Sequence, residues 1–350
     1  MQDRVDRLLE NLHDNEAVFI SSYPNIFYYS GFTSEDAYLF ISHNKKYIIT
    51  DSRYLIQAKE QAKDFEVIDI KNGFEKIFSG ANEKYIGFED CYMNVREYKK
   101  LRTKLAEYQD FVEMQKIINE PRMIKSSDEI KKIAEAEKIG DEAFSYILDR
   151  IKEGRSEREI ALEIEFFMKK HGATALSFDT IAASGKRSAM PHGIATDKII
   201  ENGDFLTLDF GCIFEGYCSD MTRTVVVGKA NDKQREIYDT VLKAQTAAIN
   251  KIQTGIKCSE IDKVARDIIT DAGYGENFGH SLGHSVGIEI HENPSFAPSC
   301  HEILKNGHVV TVEPGIYIED FGGVRIEDLI AVENGSARNL TFSPKDLIEL

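Results

Sequence analysis

Two aspartates in the middle of the chain have a spacing that could bind metal. Asp209 ends the apolar run FLTLD, and Asp220 follows eleven residues later. A strand, a turn at residues 215–216 and a returning strand would place the two carboxylates side by side. Such a pair repels at a cost of several kcal/mol when desolvated, unless a cation or a proton lies between the two groups. The spacing therefore favours a metal site, with two solvated turn residues as the alternative.

Three histidines follow within twelve residues of the glycine-rich segment FGHSLGHSVGIEIHENP. They are His280, His284 and His291. Imidazole binds transition metals well, and glycine allows the backbone to approach a ligand closely. A lone histidine would more often be structural, but three together indicate a functional cluster.

Two glutamates lie in later β-type runs, Glu313 in TVEPG and Glu327 in GGVRIED. Strand alternation predicts that each glutamate is on the face opposite its apolar neighbours. Arg325 shares a face with Glu327, where it could hold that carboxylate or contact a substrate; a surface ion pair is the alternative. Two Asp, two Glu and one His have the composition of a two-metal hydrolytic centre.

Two other motifs overlap this region. Residues 209–211 spell DFG, but neither a glycine-rich phosphate loop nor an HRD loop accompanies them, so a kinase is rejected. Both GHSLG and GHSVG match GxSxG, the nucleophile elbow of serine hydrolases. That elbow needs a buried strand before the serine and a helix after it, whereas the flanking DAGYGENF and IEIHENP predict neither. A serine hydrolase is therefore a lesser alternative.

Composition restricts the class of protein further. The 350 residues suggest two domains, and 43 Lys+Arg against 59 Asp+Glu give a net charge of −16, which disfavours nucleic-acid binding. No apolar run approaches the roughly 18 residues of a membrane span, and the first residues do not resemble a secretory signal. The five scattered cysteines form no CxxC pair, so we expect free thiols and a cytoplasmic location.

The elements that must position these residues fall into two parts. Residues 1–120 alternate β-type and helical runs and predict an α/β domain without catalytic residues. The boundary is expected near Pro121, which disfavours helix at the residue before it, and residues 121–350 form the second domain. A long helix is expected to begin within residues 126–129, with Ser or Asp as its N-cap. The β-type runs of the first part are AVFISS, AYLFIS, KKYIIT, FEVIDI and KYIGFE.

A weak internal repeat runs through the second part. In each copy a long helix ends at a glycine, a shorter helix follows, and another glycine ends it before strand-rich sequence. The repeat predicts two helix–helix–sheet halves that face each other across a cleft, with chance as the alternative. The recurring residues are Gly154, Glu159, Ile160 and Gly172, and, 101 positions later, Gly255, Glu260, Ile261 and Gly273.

These motifs resemble the Xaa-Pro metallopeptidases, prolidase and aminopeptidase P, of the creatinase/methionine-aminopeptidase superfamily with the pita-bread fold. The resemblance implies an α/β creatinase-type N-terminal domain and an α+β catalytic pita-bread domain with a pseudo-twofold repeat. Methionine aminopeptidases share the histidine region but lack the N-terminal module and the arginine two residues before the last glutamate. The matching segments are SFDTIAASGKRSAMPHG, LDFGCIFEGYCSDMTRT, FGHSLGHSVGIEIHENP, TVEPGIY, GGVRIED and, less specifically, NIFYYSGF and TDSRY.

Carried over position by position, the resemblance implies five ligands for two divalent metal ions. Asp220 and Glu327 would bridge both ions, Asp209 would bind one ion, and His284 with Glu313 would bind the other. Glu313 would also transfer the proton of the attacking water.

The resemblance also implies roles for four further side chains. His280 and His291 would line the substrate cleft and act on the scissile carbonyl and the leaving group. His192 would contact the substrate beyond the scissile bond, and Arg325 would orient ligands or substrate.

The predicted function is metal-dependent hydrolysis of Xaa-Pro bonds in proline-containing peptides. Manganese is the expected metal, with cobalt or zinc as alternatives, and the resemblance implies a homodimer. Dipeptidase and aminopeptidase P activities both stay open. A non-catalytic binding protein on the same fold is the other alternative, disfavoured because the implied ligand set is complete.

Overall fold

The computed structural model describes residues 2–72, 83–105 and 110–350. The chain divides into two compact units, Met1–Arg122 and Met123–Leu350. Among the helices in these described ranges, none is both long and apolar enough to cross a membrane.

The first unit is an α/β layer built on a six-stranded sheet. Its strands are β1 (Glu16–Ile20), β2 (Ala37–Ser42), β3 (Lys46–Thr50), β4 (Glu66–Asp69), β5 (Tyr85–Phe88) and β6 (Asp110–Glu113). They lie in the order β4-β3-β2-β1-β5-β6. The β1–β2 and β2–β3 pairs are antiparallel, and the other three pairs are parallel. Its helices are α1 (Gln2–Leu9), α2 (Tyr23–Ser30), α3 (Leu55–Gln61), α4 (Val95–Leu105) and α5 (Gln115–Met123).

The five β-type runs predicted for this unit all form strands. The runs RVDRLLENL, SRYLIQAKEQA and REYKKLRTKLAEY have helical spacing and correspond to α1, α3 and α4, although residues 106–108 of the third run lie outside the described residues. Helix α2 was not predicted, because its aromatic sequence YPNIFYYS lacks a clear amphipathic period. It ends at Gly31, whose φ of 75° is the left-handed conformation that glycine adopts most easily.

Pro121 does not end the helix that contains it, so the expectation of a break at this residue is wrong. It lies near the end of α5, two residues before the last helical residue. The hydroxyl of Tyr29 donates to the Ile118 carbonyl at 2.6 Å, and that of Tyr28 donates to the Pro121 carbonyl at 2.7 Å. These buried side chains supply donors to helix carbonyls, which stabilises the helix end despite the missing proline N–H.

The second unit combines four long helices with several small antiparallel sheets. The helices are α6 (Ser127–Leu148), α7 (Glu157–Lys170), α8 (Asp232–Lys251) and α9 (Cys258–Asp271). The strands are β7 (Ala175–Leu176), β8 (Ile181–Ser184), β9 (Phe205–Phe210), β10 (Cys212–Phe214), β11 (Tyr217–Cys218), β12 (Met221–Val226), β13 (Gly283–Ser285), β14 (Glu292–Phe296), β15 (Val309–Val312), β16 (Gly315–Ile318), β17 (Gly322–Arg325), β18 (Asp328–Glu333) and β19 (Ser336–Asn339). The two principal sheets have the orders β12-β9-β8 and β14-β13-β15-β18-β19.

The predicted repeat is present in this unit. Helices α7 and α9 begin at residues 157 and 258, which is the 101-residue spacing read from the sequence. One buried core joins α6 and α7 to the three-stranded sheet, and another joins α8 and α9 to the five-stranded sheet. The glycines at 154, 172, 255 and 273 all have positive φ, from 88° to 113°. Gly172 and Gly273 follow the ends of α7 and α9 as predicted, whereas α6 and α8 end at residues 148 and 251, before Gly154 and Gly255, which lie in the turns that follow.

The long helix α6 begins where the sequence predicted. Ser126 is its N-cap: the Ser126 hydroxyl accepts from the Glu129 N–H at 3.3 Å, and the Glu129 carboxylate accepts from the Ser126 N–H at 2.9 Å. This capping box satisfies two N–H groups that lack partners within the helix.

Ser126→Ala should lower the free energy of unfolding by about 1 kcal/mol, because it removes one side of the capping box. Ser127→Ala, at an exposed position one residue later, is the matched control and should change the free energy by less than about 0.5 kcal/mol. Equilibrium urea unfolding measures both. Equal losses in the two variants would contradict the assignment of Ser126 as the cap.

Candidate metal centre

A hairpin in the second unit brings the two aspartates together. Asp209 lies in β9 opposite Thr222 of β12, and Asp220 directly precedes β12. The chain reverses at residues 215–216, both with positive φ (46° and 83°), between the paired strands β10 and β11. The two carboxylates therefore lie side by side at one end of the β9–β12 pair, as the spacing predicted.

Two glycines allow the backbones around the site to approach closely. A Cβ on Gly211 would lie 1.9 Å from the Ser219 carbonyl oxygen, and one on Gly283 would lie 2.1 Å from the Thr311 carbonyl oxygen. Neither position can hold a side chain without displacing a neighbouring strand. The glycine-rich character of the histidine segment therefore has a direct structural reason at Gly283.

The two glutamates do not lie within strands, which corrects the expectation that both occupy β-type runs. Glu313 follows β15 and Glu327 follows β17. Their N–H groups donate to another part of the site, Glu313 to the Leu282 carbonyl at 2.8 Å and Glu327 to the Thr222 carbonyl at 3.1 Å. The strand before each glutamate has ended by that residue, and the hydrogen bond from the glutamate N–H to the neighbouring segment orients the residue.

All five expected ligands converge at one place. Ligand oxygens of Asp209, Asp220 and Glu327 lie within 4.8 Å of one another. His284 Nε2 lies 3.5 Å from Asp220 Oδ2 and 3.4 Å from Glu313 Oε1. Asp209 and Asp220 come from the hairpin in the first half of the repeat. His284, Glu313 and Glu327 come from the strands of the second half, or from residues next to them.

The protonation pattern of His284 fits a metal ligand. Its Nδ1 lies 3.2 Å from the Ser285 carbonyl, which can only accept, so Nδ1 carries the proton and Nε2 has a free lone pair. Burial lowers the pKa of His284 and keeps the ring neutral. A lone pair that faces two carboxylate oxygens is stabilised by a cation or a proton between them.

The carboxylates also require a compensating charge. Asp209 Oδ1 and Glu327 Oε1 are buried and have no hydrogen-bond partner among the residues that the structure describes. Burial and the charge of Glu327 raise the pKa of Asp220 well above its ordinary value, while burial and the charge of Glu313 do the same for Glu327. Burial raises the pKa of Glu313 to about 7. An oxygen-rich set with one imidazole matches the donors of divalent cations, and the residues present therefore fit such ions.

Arg325 holds Asp209 rather than Glu327. Its Nη2 lies 2.5 Å from Asp209 Oδ2, and its Nε donates to Thr222 Oγ1 at 3.0 Å. The Thr222 hydroxyl in turn donates to Glu327 Oε2 at 2.7 Å. Arg325 and Thr222 thus orient the carboxylates of Asp209 and Glu327. Orientation of ligands is one of the two roles that the resemblance implied for the arginine.

Tyr317 was missed by sequence reasoning. Its hydroxyl accepts from Arg325 Nη1 at 2.8 Å and lies 3.0 Å from His280 Nε2. Gly315 and Tyr317 alternate onto one face of β16, and Gly315 pairs with Arg325 of β17, which leaves room for the tyrosine ring. Tyr317 could be identified only once the pairing of β16 with β17 was known, because that pairing brings it next to Arg325.

His280 has both ring nitrogens engaged within the protein. Nδ1 lies 2.8 Å from the Ser281 carbonyl and so carries the proton, which leaves Nε2 to accept from the Tyr317 hydroxyl. Burial lowers the pKa of His280 to about 4, so the ring is neutral. Both nitrogens thus have partners within the protein, and the expected role of His280 on the substrate stays a prediction.

The segment that carries His280 is fastened to α9 by an ion pair. Asp262 is buried and pairs with Arg266 at 2.8 Å, and its Oδ1 also accepts from the Leu282 N–H at 3.1 Å. Arg266 donates to the carbonyls of Phe278 and His280 at 3.0 and 2.8 Å. The ion pair therefore sets the backbone on both sides of the histidine.

The loop that carries His291 has a comparable support. Lys125 and Glu292 form a 2.9 Å ion pair whose side chains are only 2% and 6% exposed. Glu292 Oε1 also accepts from the N–H groups of Ile288 and Glu289 at 3.1 and 3.2 Å. A buried pair of this kind is strongly destabilising when one partner is lost, so it holds the loop firmly.

The predicted site residues line one cavity of about 390 Å³. His192 and His291 are exposed within it, and the His291 ring centre lies 4.4 Å from that of His284. Apolar side chains form part of the wall. The lining residues include Phe178, Ile181, Pro191, His192, Asp209, Asp220, His280, His284, Ile290, His291, Glu313, Arg325 and Glu327.

The GxSxG segments do not form a nucleophile elbow. Ser281 lies outside any strand, and Ser285 is the buried last residue of β13. The next element is strand β14 rather than a helix. The structural context that a serine nucleophile needs is therefore missing at both serines.

Two family models match the chain. The metallopeptidase family M24 model matches residues 131–334, and the creatinase/prolidase N-terminal domain model matches residues 4–124. Together they span both units.

Known proteins match the chain over almost its whole length. The Xaa-Pro dipeptidase of Pyrococcus horikoshii is 40% identical over 354 residues, which covers 99% of each chain. The structure of an Xaa-Pro dipeptidase from Bacillus anthracis has a TM-score of 0.96 at 42% identity and covers 100% of this chain and 99% of that one. The X-Pro aminopeptidase structure from Thermotoga maritima has a TM-score of 0.92 at 37% identity, with coverage of 99% and 100%.

Glu313 should give the metal-free protein a defined pH dependence. Burial raises its pKa from 4.5 to about 7, so the folded protein holds a proton that the unfolded chain releases between these values. This contribution to stability is complete below a pH of about 4.5 and is lost as the pH rises through about 7. Metal-free wild type should therefore lose melting temperature relative to metal-free Glu313→Gln across that range.

Thermal unfolding of both proteins after chelation measures this difference. Titrating groups that Glu313 does not influence, such as His280, affect both proteins alike and cancel in the comparison, whereas Glu327 and Asp220 contribute to the difference because the charge of Glu313 raises their pKa values. Parallel melting curves across the range would contradict the raised pKa of Glu313.

Proposed function

Because the chain belongs to metallopeptidase family M24, we propose that it hydrolyses the peptide bond before proline in Xaa-Pro peptides. One observation supports this proposal above the others: Asp209, Asp220, His284, Glu313 and Glu327 converge in a cavity with apolar walls. A non-catalytic binding protein would have no need for so many buried, mutually repelling carboxylates.

We propose that these five residues hold two divalent ions. Asp220 and Glu327 would serve as ligands of both ions, Asp209 as a further ligand of one ion, and His284 with Glu313 as ligands of the other. Two such ions, when bound, lower the pKa of a shared water and polarise the scissile carbonyl. Manganese is the first metal to test, and cobalt or zinc are the alternatives that the same donors accept.

Glu313 is the candidate for moving the proton. Its Oε1 accepts from the Thr311 hydroxyl at 3.0 Å, which leaves Oε2 to take a proton from the attacking water. The same oxygen can pass that proton to the leaving nitrogen. The leaving group is a proline nitrogen, which has no N–H of its own and needs this proton to depart as an amine.

The histidines divide into two roles. His291 and His192 are exposed in the cavity and are free to donate to the substrate, His291 beside His284 and His192 from a separate loop. His280 orients the Tyr317 hydroxyl and, through it, Arg325. We therefore assign substrate contact to His291 and His192 and a positioning role to His280.

The apolar wall suits a proline ring. Phe178, Ile181, Pro191 and Ile290 line the cavity beside the carboxylates. A proline residue has a compact apolar ring and no N–H donor. It therefore loses no hydrogen bond when it packs against a wall that lacks acceptors.

Dipeptidase activity is the first subclass to test, since the relative from Pyrococcus horikoshii that matches over full length is an Xaa-Pro dipeptidase. Aminopeptidase P activity is the second candidate, supported by the similarity to the Thermotoga maritima X-Pro aminopeptidase. A homodimer and a cytoplasmic location stay predictions.

The decisive assay uses exhaustively chelated protein with manganese, cobalt or zinc added back. We expect hydrolysis of Xaa-Pro dipeptides to vanish on chelation and to return with metal, and Xaa-Ala dipeptides to be poor substrates. Xaa-Pro-Yaa tripeptides in the same assay separate the two subclasses. Hydrolysis that survives complete removal of metal, or that yields to a serine-directed phosphonate, would refute the proposal.

Asp220→Ala should abolish both metal uptake and hydrolysis, because it removes the central carboxylate of the cluster. The expected kcat lies below about one thousandth of the wild-type value, as for the loss of a residue on which the reaction depends. Asp239→Ala, an exposed carboxylate on α8, is the control and should bind metal normally. Metal analysis by mass spectrometry and the peptide assay measure both effects, and undiminished activity in Asp220→Ala would disprove the bridging role.

A further inference from the structure

A buried carboxylate at the start of α7 fastens both ends of the loop that carries His192. Glu157 is fully buried. Its Oε1 accepts from the N–H and hydroxyl of Ser184 at 2.7 and 3.0 Å, and its Oε2 accepts from the N–H and hydroxyl of Thr196 at 3.1 and 2.8 Å. One side chain thus joins the two ends of residues 184–196.

Arg187, within this loop, supplies the countercharge. Its Nε lies 3.1 Å from Glu157 Oε2, and its Nη2 donates to the Ile194 carbonyl at 2.7 Å. That carbonyl is two residues beyond His192. The ion pair therefore neutralises the buried carboxylate and also holds the backbone next to the histidine.

The loop reaches the cavity through a few residues at its tip. Pro191 and His192 line the cavity, whereas Glu157 does not. On its other side the loop is held by Ser188, whose hydroxyl accepts from the Gly323 N–H at 2.8 Å on the strand that leads to Arg325. The tip is thus held between α7 and β17.

We propose that Glu157 is a positioning residue for substrate binding, which it serves by holding His192 in the cavity. This inference rests on the proposed function. A loop of thirteen residues that lost this anchor would gain conformational freedom, and ordering it again on binding would weaken the substrate complex. His192 contacts the substrate away from the reacting bond, so the loss affects ground state and transition state alike and raises KM rather than lowering kcat.

Glu157→Gln tests this role. The amide of glutamine places an N–H₂ group where the carboxylate accepted hydrogen bonds, so at least one donor faces another donor. We expect KM for an Xaa-Pro dipeptide to rise about tenfold, with kcat within about twofold and manganese affinity unchanged.

Glu163→Gln is the matched control on the same helix. Glu163 pairs with Arg155 at 2.6 Å, is about one-third exposed and holds no residue of the cavity. Its KM should equal that of the wild type. Equal KM values in the two variants would overturn the proposal. In that case, loss of the Glu157 contacts to residues 184–196 would affect substrate binding no more than loss of the Glu163 ion pair.

A double-mutant cycle with His192→Ala separates positioning from general structural damage. If Glu157 acts through His192, Glu157→Gln should raise KM no further once the imidazole is gone. Additive increases would contradict the proposal. If Glu157→Gln does not fold, Arg187→Lys takes its place in the cycle, since it keeps the charge but loses the paired contacts to Glu157 and Ile194.

Hydrogen exchange distinguishes failure of this inference from failure of the proposed function. Faster exchange of residues 184–196 in Glu157→Gln than in Glu163→Gln supports the anchor without any assay of activity, and equal exchange overturns it. Failure of metal-loaded wild type to cleave Xaa-Pro peptides would overturn the proposed function and, with it, the role assigned to His192 in binding.

Discussion

The burial of four carboxylates in one cavity is the constraint on which the rest of the second unit depends. Asp209, Asp220, Glu313 and Glu327 are taken out of water within reach of one another, and burial raises the pKa values of the last three. Within the described residues, the one guanidinium in contact with them is that of Arg325, whose ion pair is with Asp209. The remaining charge is balanced by protons or by divalent cations, and membership of a metallopeptidase family favours the cations.

Hydrogen bonds from the surrounding strands and side chains orient these carboxylates without neutralising most of their charge. The strand ladders stop at the glutamates, so that their backbone bonds reach across to neighbouring segments. Thr222 and Tyr317 then link the arginine to Glu327 and to His280. Three segments around the cavity are each fastened by a buried carboxylate: two of these come from elsewhere in the unit, and the third, next to His291, pairs with the distant Lys125. These carboxylates are Glu157 for His192, Asp262 for His280 and Glu292 for His291.

Much of the architecture could be predicted because it is local. The strand runs of the first unit, the cap at Ser126 and the helix–glycine repeat all depend on residues close together in sequence. The creatinase-type domain and the pita-bread catalytic domain, which the motif resemblance implied, are confirmed by the family matches and the structural neighbours. The error at Pro121 involves contacts that are not local: the proline lies within a helix whose Ile118 and Pro121 carbonyls accept from the distant Tyr29 and Tyr28 hydroxyls.

What the sequence determined by itself was the kind of chemistry, since residue type and spacing place two aspartates on one hairpin and mark three histidines and two glutamates as unusual. Only the tertiary structure decided which atoms face one another. It paired Arg325 with Asp209, gave both nitrogens of His280 partners within the protein, and placed Tyr317 against Arg325 and Glu157 against the loop of His192. The physical reason is that these contacts join segments far apart in the chain, and strand pairing across such distances leaves no periodic signal in the sequence.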